Sequence, residues 1–220
     1  TNYVFNIYDL PVTEFEASST SCANSEVQFT DKSDSKTKDF SITNWVWDFK
    51  DGSTSTDQNP KHVFAKEGKY KVLLTVKSGT GCYSEPVEKE IEIYPLPISD
   101  FKAPAKTCTN TEFIVQDLSS VSNLISVNSI KSWKWDFGDG SPIVNDQNPK
   151  HQYTATGKYT ISLITTSARD CVSEVKKWDI TVTELPKIGF NMPDICLRDA
   201  VATFTNTSVN EDGSTTGLTY

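Results

Sequence analysis

Three Leu-Pro dipeptides recur at a nearly constant interval along this chain. They lie 86 and 89 residues apart, at Leu10-Pro11, Leu96-Pro97 and Leu185-Pro186. The surrounding residues keep the same register, since a phenylalanine stands four residues after each proline, at Phe15, Phe101 and Phe190. A fixed period of this length is the sequence signature of a tandem repeat, whose units are built alike.

The register divides the chain into two complete repeats with a fragment at each end. The complete repeats are predicted at 11–96 and 97–185, with the last strand of a preceding repeat at 1–10 and the N-terminal part of a following one at 186–220. We therefore interpret the chain as a window on a longer array. Its terminal fragments are expected to be ordered only as far as they dock on a neighbouring repeat.

Within each repeat the apolar residues alternate with a period of two, which is typical of β-strands. The clearest strands are 45–49 with its copy 133–137, and 70–76 with its copy 159–165. Short clusters of Gly, Asn, Asp, Ser and Pro separate the strands, and no long helical pattern occurs. About seven strands in 86 to 89 residues predict an all-β chain of β-sandwiches, each with a core between two sheets.

Composition excludes several classes of function. The chain has 21 Lys and Arg against 29 Asp and Glu, for a net charge of −8. Binding to a nucleic-acid backbone needs clustered cations, so no nucleic-acid partner is expected. The acidic balance disfavours anionic membranes, and no apolar run is long enough for a spanning helix, so direct membrane insertion is not expected either.

Two segments of each repeat carry a recognisable pattern. In the second repeat they are Trp135-Asp136-Phe137-Gly138-Asp139-Gly140 and, after an Asn-Pro-Lys-His run, Gly157-Lys158-Tyr159. In the first repeat they are Trp47-Asp48-Phe49-Lys50-Asp51-Gly52 and Gly68-Lys69-Tyr70. This pattern resembles the signature of PKD (polycystic kidney disease) domains. The resemblance implies immunoglobulin-like β-sandwiches of an extracellular protein. The short junctions, with a proline in each, predict that the sandwiches are arranged end to end.

PKD repeats with an added cysteine pair and a Leu-Pro junction are most similar to those of giant bacterial surface proteins. These include gliding-motility adhesins exported by the type IX secretion system. The resemblance implies a non-catalytic stalk or adhesion array at the bacterial cell surface. Its expected partners are neighbouring domains of the same long chain and the secretion or motility machinery. The alternative is a set of spacer or polymer-binding modules in a secreted hydrolase, and the rest of the chain would discriminate between the two.

Each signature residue has an expected structural role. Trp47 and Phe49 lie two residues apart and should fill the space between the sheets, while Asp48 faces the other way and can accept backbone N–H bonds. The Asp-Gly pairs 51–52 and 139–140 supply a turn. Lys50 departs from the pattern: either it costs about 1 kcal/mol in a left-handed backbone, or the turn is of a different type. Tyr70 and Tyr159 resemble the corner tyrosine of Greek-key sandwiches.

No catalytic site is expected. His62 and His151 are the two histidines of the chain, and they occupy the same place in two copies of one pattern, which favours a structural hydrogen-bonding role. No nucleophile-elbow, Walker or Rossmann pattern occurs, and the cysteines lack the close pairs that zinc sites use.

Two kinds of ligand stay open as weaker hypotheses, and no other cofactor is expected. Calcium takes carboxylate oxygens, and the signature turns offer Asp48, Asp51, Asp136 and Asp139, although without the ligand ladder of a calcium loop. Sugar binds to exposed tryptophan faces, for which Trp178 is the best candidate, because Trp47 and Trp135 are expected to be buried. The sequon at 206–208 is interpreted as a chance match.

The extracellular setting that the resemblance implies favours disulfides. Each complete repeat has one cysteine after its first strand and one after its long Tyr-initiated strand, which predicts the pairs Cys22–Cys82 and Cys108–Cys171. Free buried thiols are the alternative. Cys196 is expected to pair with a cysteine beyond residue 220.

Overall fold

The computed structural model of the chain describes residues 7–18, 21–38, 40–124, 128–191, 205–210 and 213–215. The regular structure of these residues consists of strands, as the sequence pattern predicts. The strands before the second Leu-Pro dipeptide are β1 (Phe15–Ala17), β2 (Glu26–Asp31), β3 (Ile42–Asp48), β4 (Thr54–Ser55), β5 (Lys61–Val63), β6 (Gly68–Ser78) and β7 (Val87–Ile93).

Eight strands follow in the described part of the second repeat, and a short pair comes after it. The eight are β8 (Phe101–Lys102), β9 (Lys106–Cys108), β10 (Phe113–Ile114), β11 (Gln116–Asp117), β12 (Ile130–Asp136), β13 (Lys150–His151), β14 (Gly157–Ser167) and β15 (Lys176–Thr183). The final pair is β16 (Phe190–Asn191) and β17 (Thr205–Asn206). None of the described residues is helical, so none of them belongs to a helix that could cross a membrane.

The first repeat consists of two antiparallel sheets. One has the strand order β1-β2-β5, and the other has the order β4-β3-β6-β7. The alternation along β6 puts Val72, Leu74 and Val76 on the inner face at 0% exposure, where they meet Trp47 of β3 and Phe15 of β1. The core therefore lies between the two sheets.

The second repeat keeps this plan with shorter outer strands. Its larger sheet has the order β12-β14-β15-β9, and the opposite layer consists of the pairs β8-β11 and β10-β13. The strand β9 runs parallel to β15, with Cys108 opposite Thr183. Trp135, Phe137, Ile161 and Leu163 are fully buried in its core. The chain is thus a tandem of β-sandwiches.

The described residues form two compact units whose limits differ from those of the repeats. The first unit comprises Thr1–Ile98 with the segments Ser120–Lys131 and Thr166–Ser173. The second comprises Ser99–Ser119, Ser132–Thr165 and Glu174–Tyr220. Two segments of the second repeat are therefore grouped with the first repeat. The repeat limits 1–10, 11–96, 97–185 and 186–220 stay predictions.

The segment after the second repeat shows the same first pairing as the complete repeats. Lys187 and Val209 exchange backbone hydrogen bonds of 2.9 and 3.0 Å. The bridge that they form corresponds to those of Val12 with Asp34 and Ile98 with Ser120. Strands β16 and β17 continue it, as β1 and β2 do in the first repeat.

The predicted disulfides are wrong. Cys22 is bonded to Cys171, with the Cα atoms 5.7 Å apart, while Cys82 and Cys108 are free thiols. Cys22 forms a backbone bridge with Tyr94. Tyr94 directly follows Ile93 of β7, which pairs with Gly68 at the start of β6. Cys82 is hydrogen-bonded to Ser78, at the other end of β6.

The length of β6 explains why Cys22 and Cys82 cannot bond. Its 11 residues span about 36 Å at roughly 3.3 Å per residue, whereas the Cα atoms of a disulfide lie within about 7 Å. The second repeat is built alike. Cys108 pairs with Thr183, near Gly157 at the start of β14. The carbonyl of Cys171 accepts a hydrogen bond from the N–H of Ser167, at the other end of β14. Cys196 lies outside the described residues.

Candidate functional site

We use the name signature turn for residues 47–53 of the first repeat and their copy, residues 135–141. Trp47 and Trp135 anchor the two turns, since both are fully buried. Each indole N–H donates a hydrogen bond to a backbone carbonyl, of Asp57 at 2.8 Å and of Asp146 at 2.9 Å respectively. The tryptophan faces are therefore part of the core and are not available to a ligand.

Asp48 and Asp136 close the first half of each turn. A carboxylate oxygen of Asp48 accepts the backbone N–H of Lys50, and Asp136 accepts that of Gly138, both at 2.9 Å. Lys50 is left-handed, with φ of 59°, and its Nζ also pairs with Asp48 at 2.6 Å. Gly138 has φ of 74°, and a Cβ atom there would lie 2.7 Å from the carbonyl oxygen of Thr160. The first repeat thus tolerates a side chain where the second requires glycine.

In the second half of the turn of the first repeat, Asp51 is paired with His62 of strand β5. His62 Nε2 lies 2.7 Å from Asp51 Oδ2, and the imidazole stacks on the ring of Phe49 with centroids 4.1 Å apart. The backbone N–H of Ser53 donates to Asp51 Oδ1 at 3.0 Å. The histidine therefore ties strand β5 to the turn that follows β3.

The second repeat contains the same arrangement. His151 Nε2 lies 2.9 Å from Asp139 Oδ2, and the imidazole stacks on Phe137 at 3.8 Å. The backbone N–H of Ser141 donates to Asp139 at 3.0 Å. Because the same contacts recur in both repeats, we call the pairs Asp51–His62 and Asp139–His151 the Asp-His locks.

The electrostatics of the locks favour ionised carboxylates. Burial opposes the charge of Asp51, but hydrogen bonds from Ser53 and His62 outweigh it, so the pKa of Asp51 lies below its ordinary value. The pKa of Asp139 is lowered in the same way, against burial, by hydrogen bonds from Ser141 and His151. At neutral pH both carboxylates are charged acceptors.

Ser53, His62 and Asp51 lie together but do not form a catalytic triad. Ser53 Oγ is 3.2 Å from His62 Nε2, the same ring nitrogen that contacts Asp51. In a triad the serine and the carboxylate bind opposite nitrogens, so that the ring can take a proton from one while the other orients it. Here the two groups share one nitrogen, and the ring face is covered by Phe49. The arrangement therefore holds a turn and does not activate a nucleophile.

The four candidate calcium ligands already accept hydrogen bonds from protein groups. Asp48, Asp51, Asp136 and Asp139 receive backbone N–H groups two residues ahead of them. The described ranges contain no group of three or more His, Cys, Asp or Glu side chains placed to hold a metal ion. The carboxylates act here as turn acceptors.

Tyr70 and Tyr159 each fix a loop to the start of a long strand. The hydroxyl of Tyr70 donates to the carbonyl of Lys66 at 2.9 Å, and that of Tyr159 donates to Ala155 at 3.1 Å. The ring of Tyr70 lies over Gly68, where an added Cβ would be 3.2 Å from it. The Gly-Lys-Tyr motif therefore brings a strand start and a ring into close contact.

Trp178 is the exposed tryptophan that the sequence singles out, with 37% of its surface accessible. Its indole N–H lies 3.3 Å from the carbonyl oxygen of Pro104. Pro104 also lines an open groove with Lys102, Ala103, Ile114, Gln116 and Asn148. This groove is apolar in part.

Sequence reasoning missed the role of the asparagine before each histidine strand. Asn59 Oδ1 accepts the backbone N–H of Asp31 at 2.9 Å, and Asn148 Oδ1 accepts that of Asp117 at 2.8 Å. The signal was available, because the hexapeptide Asp-Gln-Asn-Pro-Lys-His is identical at 57–62 and 146–151.

The sequon is a third copy of a structural turn. Asn206 Oδ1 accepts the backbone N–H of Ser208 at 2.8 Å. The same bond, from a serine to an acidic residue two positions earlier, occurs at Asp31 with Ser33 and at 117–119. Asn206 therefore occupies the position that Asp31 and Asp117 occupy in the two complete repeats.

The disulfide is surrounded by residues of the first compact unit. Cys22 is 9% exposed and Cys171 is fully buried. Beside them, the guanidinium of Arg169 lies 4.9 Å from the centroid of the Tyr94 ring, at a distance typical of a cation–π contact. Lys131 pairs with Asp170 at 2.8 Å, and Ala168 donates its N–H to the carbonyl of Ser129. The turn that carries Cys171 is therefore held by several polar contacts.

These features define a class of tandem β-sandwich modules in which the polar signature residues support the fold. The chain belongs to the PKD domain family, since the family model matches residues 8–93 and 95–182, most of its length.

Three curated relatives are collagenases. The chain is 54% identical to collagenase ColQ1 of Bacillus cereus strain Q1 over 56 residues, which are 25% of this chain and 6% of the relative. It is 39% identical to collagenase ColA of another Bacillus cereus strain over 66 residues, 30% of this chain and 7% of the relative. It is 48% identical to a microbial collagenase of Vibrio alginolyticus over 40 residues, 18% of this chain and 5% of the relative. The chain thus matches less than a tenth of each relative.

Two solved structures are similar PKD domains. One is the PKD1 domain of the Vibrio cholerae metalloprotease PrtV, at 29% identity and a TM-score of 0.34, covering 39% of this chain and 98% of that one. The other is the PKD1 domain of Vibrio anguillarum Epp, at 25% identity and a TM-score of 0.33, covering 40% of this chain and 99% of that one.

Proposed function

We propose that the chain is a non-catalytic spacer region of a large secreted hydrolase, in which the PKD repeats hold other parts of the protein apart. The observation that carries the proposal is the similarity of short stretches of the chain to stretches of three collagenases. A hydrolase of extracellular polymers needs its catalytic region to reach an insoluble substrate. Folded repeats in tandem can provide that reach.

The chemistry of the repeats supports a structural role. The carboxylate and indole groups of both signature turns, and the imidazoles of His62 and His151, are engaged in hydrogen bonds or ring stacking within their own repeat. The contacts recur in both repeats, whereas an active site seldom occurs twice with the same supporting turns. The catalytic chemistry of the proposed hydrolase would therefore lie in another region.

An extracellular location fits the covalent structure. Disulfides persist in oxidising environments and are rare in the cytosol. The Cys22–Cys171 bond and the similarity to collagenases both support secretion.

The proposal can be tested with the purified 220-residue chain and insoluble collagen. A spacer is expected to sediment with collagen fibrils no more than a control protein does, and to release no peptides from them. Saturable sedimentation that is lost in the Trp178→Ala variant would replace the spacer by a polymer-binding module. Peptide release that is abolished by His62→Ala and His151→Ala would overturn the non-catalytic role altogether.

The second candidate function is the stalk of a bacterial surface adhesin, of the kind used in attachment or gliding. It is favoured by the third copy of the repeat's first pairing, at Lys187 with Val209 and in strands β16 and β17. Many repeats in a row suit a stalk. An antibody against the chain decides between the two candidates in the source organism. Label on intact cells supports the stalk, whereas release into the medium together with collagenase activity supports the secreted hydrolase.

A further inference from the structure

The two free cysteines occupy the same structural positions as the two that are bonded. We call the position of Cys22, after the first strand region, the strand-end cysteine. We call the position of Cys171, in the turn between the two long strands, the turn cysteine. Cys108 and Cys82 are the free members of these two kinds.

Cys82 matches Cys171 in its backbone contacts. The carbonyl of Cys82 accepts the N–H of Ser78 at 3.0 Å, and that of Cys171 accepts the N–H of Ser167 at 2.8 Å. The next residue forms a bridge in both repeats, Tyr83 with Lys77 and Val172 with Thr166. The turn thus presents both cysteines in the same way.

Cys108 matches Cys22 just as closely. Cys22 forms a parallel bridge with Tyr94, and Cys108 pairs in parallel with Thr183. Two residues later, Asn24 and Asn110 are both left-handed, with φ of 61° and 58°. Both asparagines donate their N–H groups, to the carbonyls of Phe64 and Tyr153, at 2.8 Å. The strand-end cysteines therefore share one local structure.

We propose that Cys82 and Cys108 are the two halves of further disulfides between PKD repeats, in the register that Cys22 and Cys171 display. In that register the strand-end cysteine of one repeat bonds the turn cysteine of the next. Cys108 forms a disulfide with the turn cysteine of another repeat, and Cys82 forms one with the strand-end cysteine of another repeat. Both thiols are half-buried rather than enclosed, so another chain segment can reach them.

The partner is identified by its chemistry as another PKD repeat with a complementary cysteine, either in the same protein or in a second copy. Bond formation joins two thiols and releases two protons and two electrons. A disulfide oxidant accepts them, as when oxidised glutathione is reduced to two molecules of glutathione. A repeat of the same protein and a second copy of the chain differ in which cysteine-containing peptide becomes linked to Cys82 or Cys108.

The test mixes two variants of the full 220-residue chain in a glutathione redox buffer. The Cys82→Ser, Cys196→Ser variant keeps Cys108 as its free thiol, and the Cys108→Ser, Cys196→Ser variant keeps Cys82. The mixture is expected to form a Cys108–Cys82 dimer at least about tenfold more than either variant forms a dimer alone. Unchanged melting temperatures and an intact Cys22–Cys171 link show that both variants are folded.

Two other outcomes of the mixing experiment would overturn the proposal. Homodimers that form as readily as the mixed dimer would show that the pairing has no register. Absence of the mixed dimer, although both thiols form adducts with glutathione, would show that the positions do not dock. Mapping of the natural protein, with thiols alkylated at harvest, then distinguishes the sources. Cys82 linked to Cys108 indicates a second copy, a link to a cysteine of a different PKD repeat indicates that repeat, and alkylated Cys82 and Cys108 contradict the proposal.

Discussion

Cys22 and Cys171 are 149 residues apart in the sequence and are joined by a disulfide within one compact unit. The first belongs to the PKD match at 8–93 and the second to the match at 95–182. The bond therefore ties the second repeat to the first. A backbone cut anywhere between the two cysteines leaves the fragments linked until the disulfide is reduced.

Loss of this disulfide is expected to destabilise the first compact unit. Cys22→Ser or Cys171→Ser should lower the free energy of unfolding by about 2–4 kcal/mol, because the unfolded chain is no longer constrained by a closed loop. Denaturant unfolding of the oxidised protein measures this change. Cys82→Ser is the matched control, with an expected change under about 0.5 kcal/mol. Peptide mapping that links Cys22 to Cys82 instead would contradict the structure.

The Asp-His locks are expected to make the free energy of unfolding depend on pH in the acid range. The lowered pKa values of Asp51 and Asp139 lie below the ordinary value of 3.8, so their contribution is fully present above about pH 4 and is lost as pH falls through the lowered values. The double variant Asp51→Asn, Asp139→Asn should be less stable at pH 6 and should lose less stability between pH 4 and 2.5. Unfolding measured across this range tests the slope. Equal slopes for the variant and the parent protein would assign the acid sensitivity to other carboxylates.

Removing glycine from the second turn is expected to lower stability, whereas introducing glycine at the equivalent position of the first turn is expected to raise it. Gly138→Ala should destabilise by about 2–4 kcal/mol, since it adds a left-handed side chain and a clash with the carbonyl of Thr160. Lys50→Gly should stabilise by up to about 1 kcal/mol, because it relieves the left-handed strain at φ of 59°. Thermal melts of the two single variants check the signs. A stable Gly138→Ala protein would mean that the second turn can rearrange.

The buried and exposed tryptophans are expected to differ strongly in their effect on stability. Trp135→Ala should cost about 3–5 kcal/mol, because it empties a fully buried site and leaves the carbonyl of Asp146 without its indole donor. Trp178→Ala, at 37% exposure, serves as the control and should cost under about 1 kcal/mol. Denaturant unfolding compares the two variants. Similar losses for both would show that Trp178 belongs to the core.

The sequence by itself determined the repeat period, the all-β class and the buried tryptophans. These follow from local patterns, because the alternation along β6 and β14 assigns each side chain to one face whatever its partners are. The same patterns identified the signature turns and marked Lys50 as a departure from them, whereas its left-handed backbone was established by the structure. They also indicated a shared role for His62 and His151, although the partners of these histidines stayed unnamed.

Tertiary structure alone decided which cysteines meet. Spacing along the chain gives one strand-end cysteine and one turn cysteine in each repeat, but it does not tell at which end of the sandwich each one lies. That choice depends on the length of β6 and β14 and on the pairing of the last strand with the strand-end residue, as in Tyr94 with Cys22. Because an 11-residue strand is several times longer than a disulfide can span, the two cysteines of one repeat are held apart, and the bond forms between repeats.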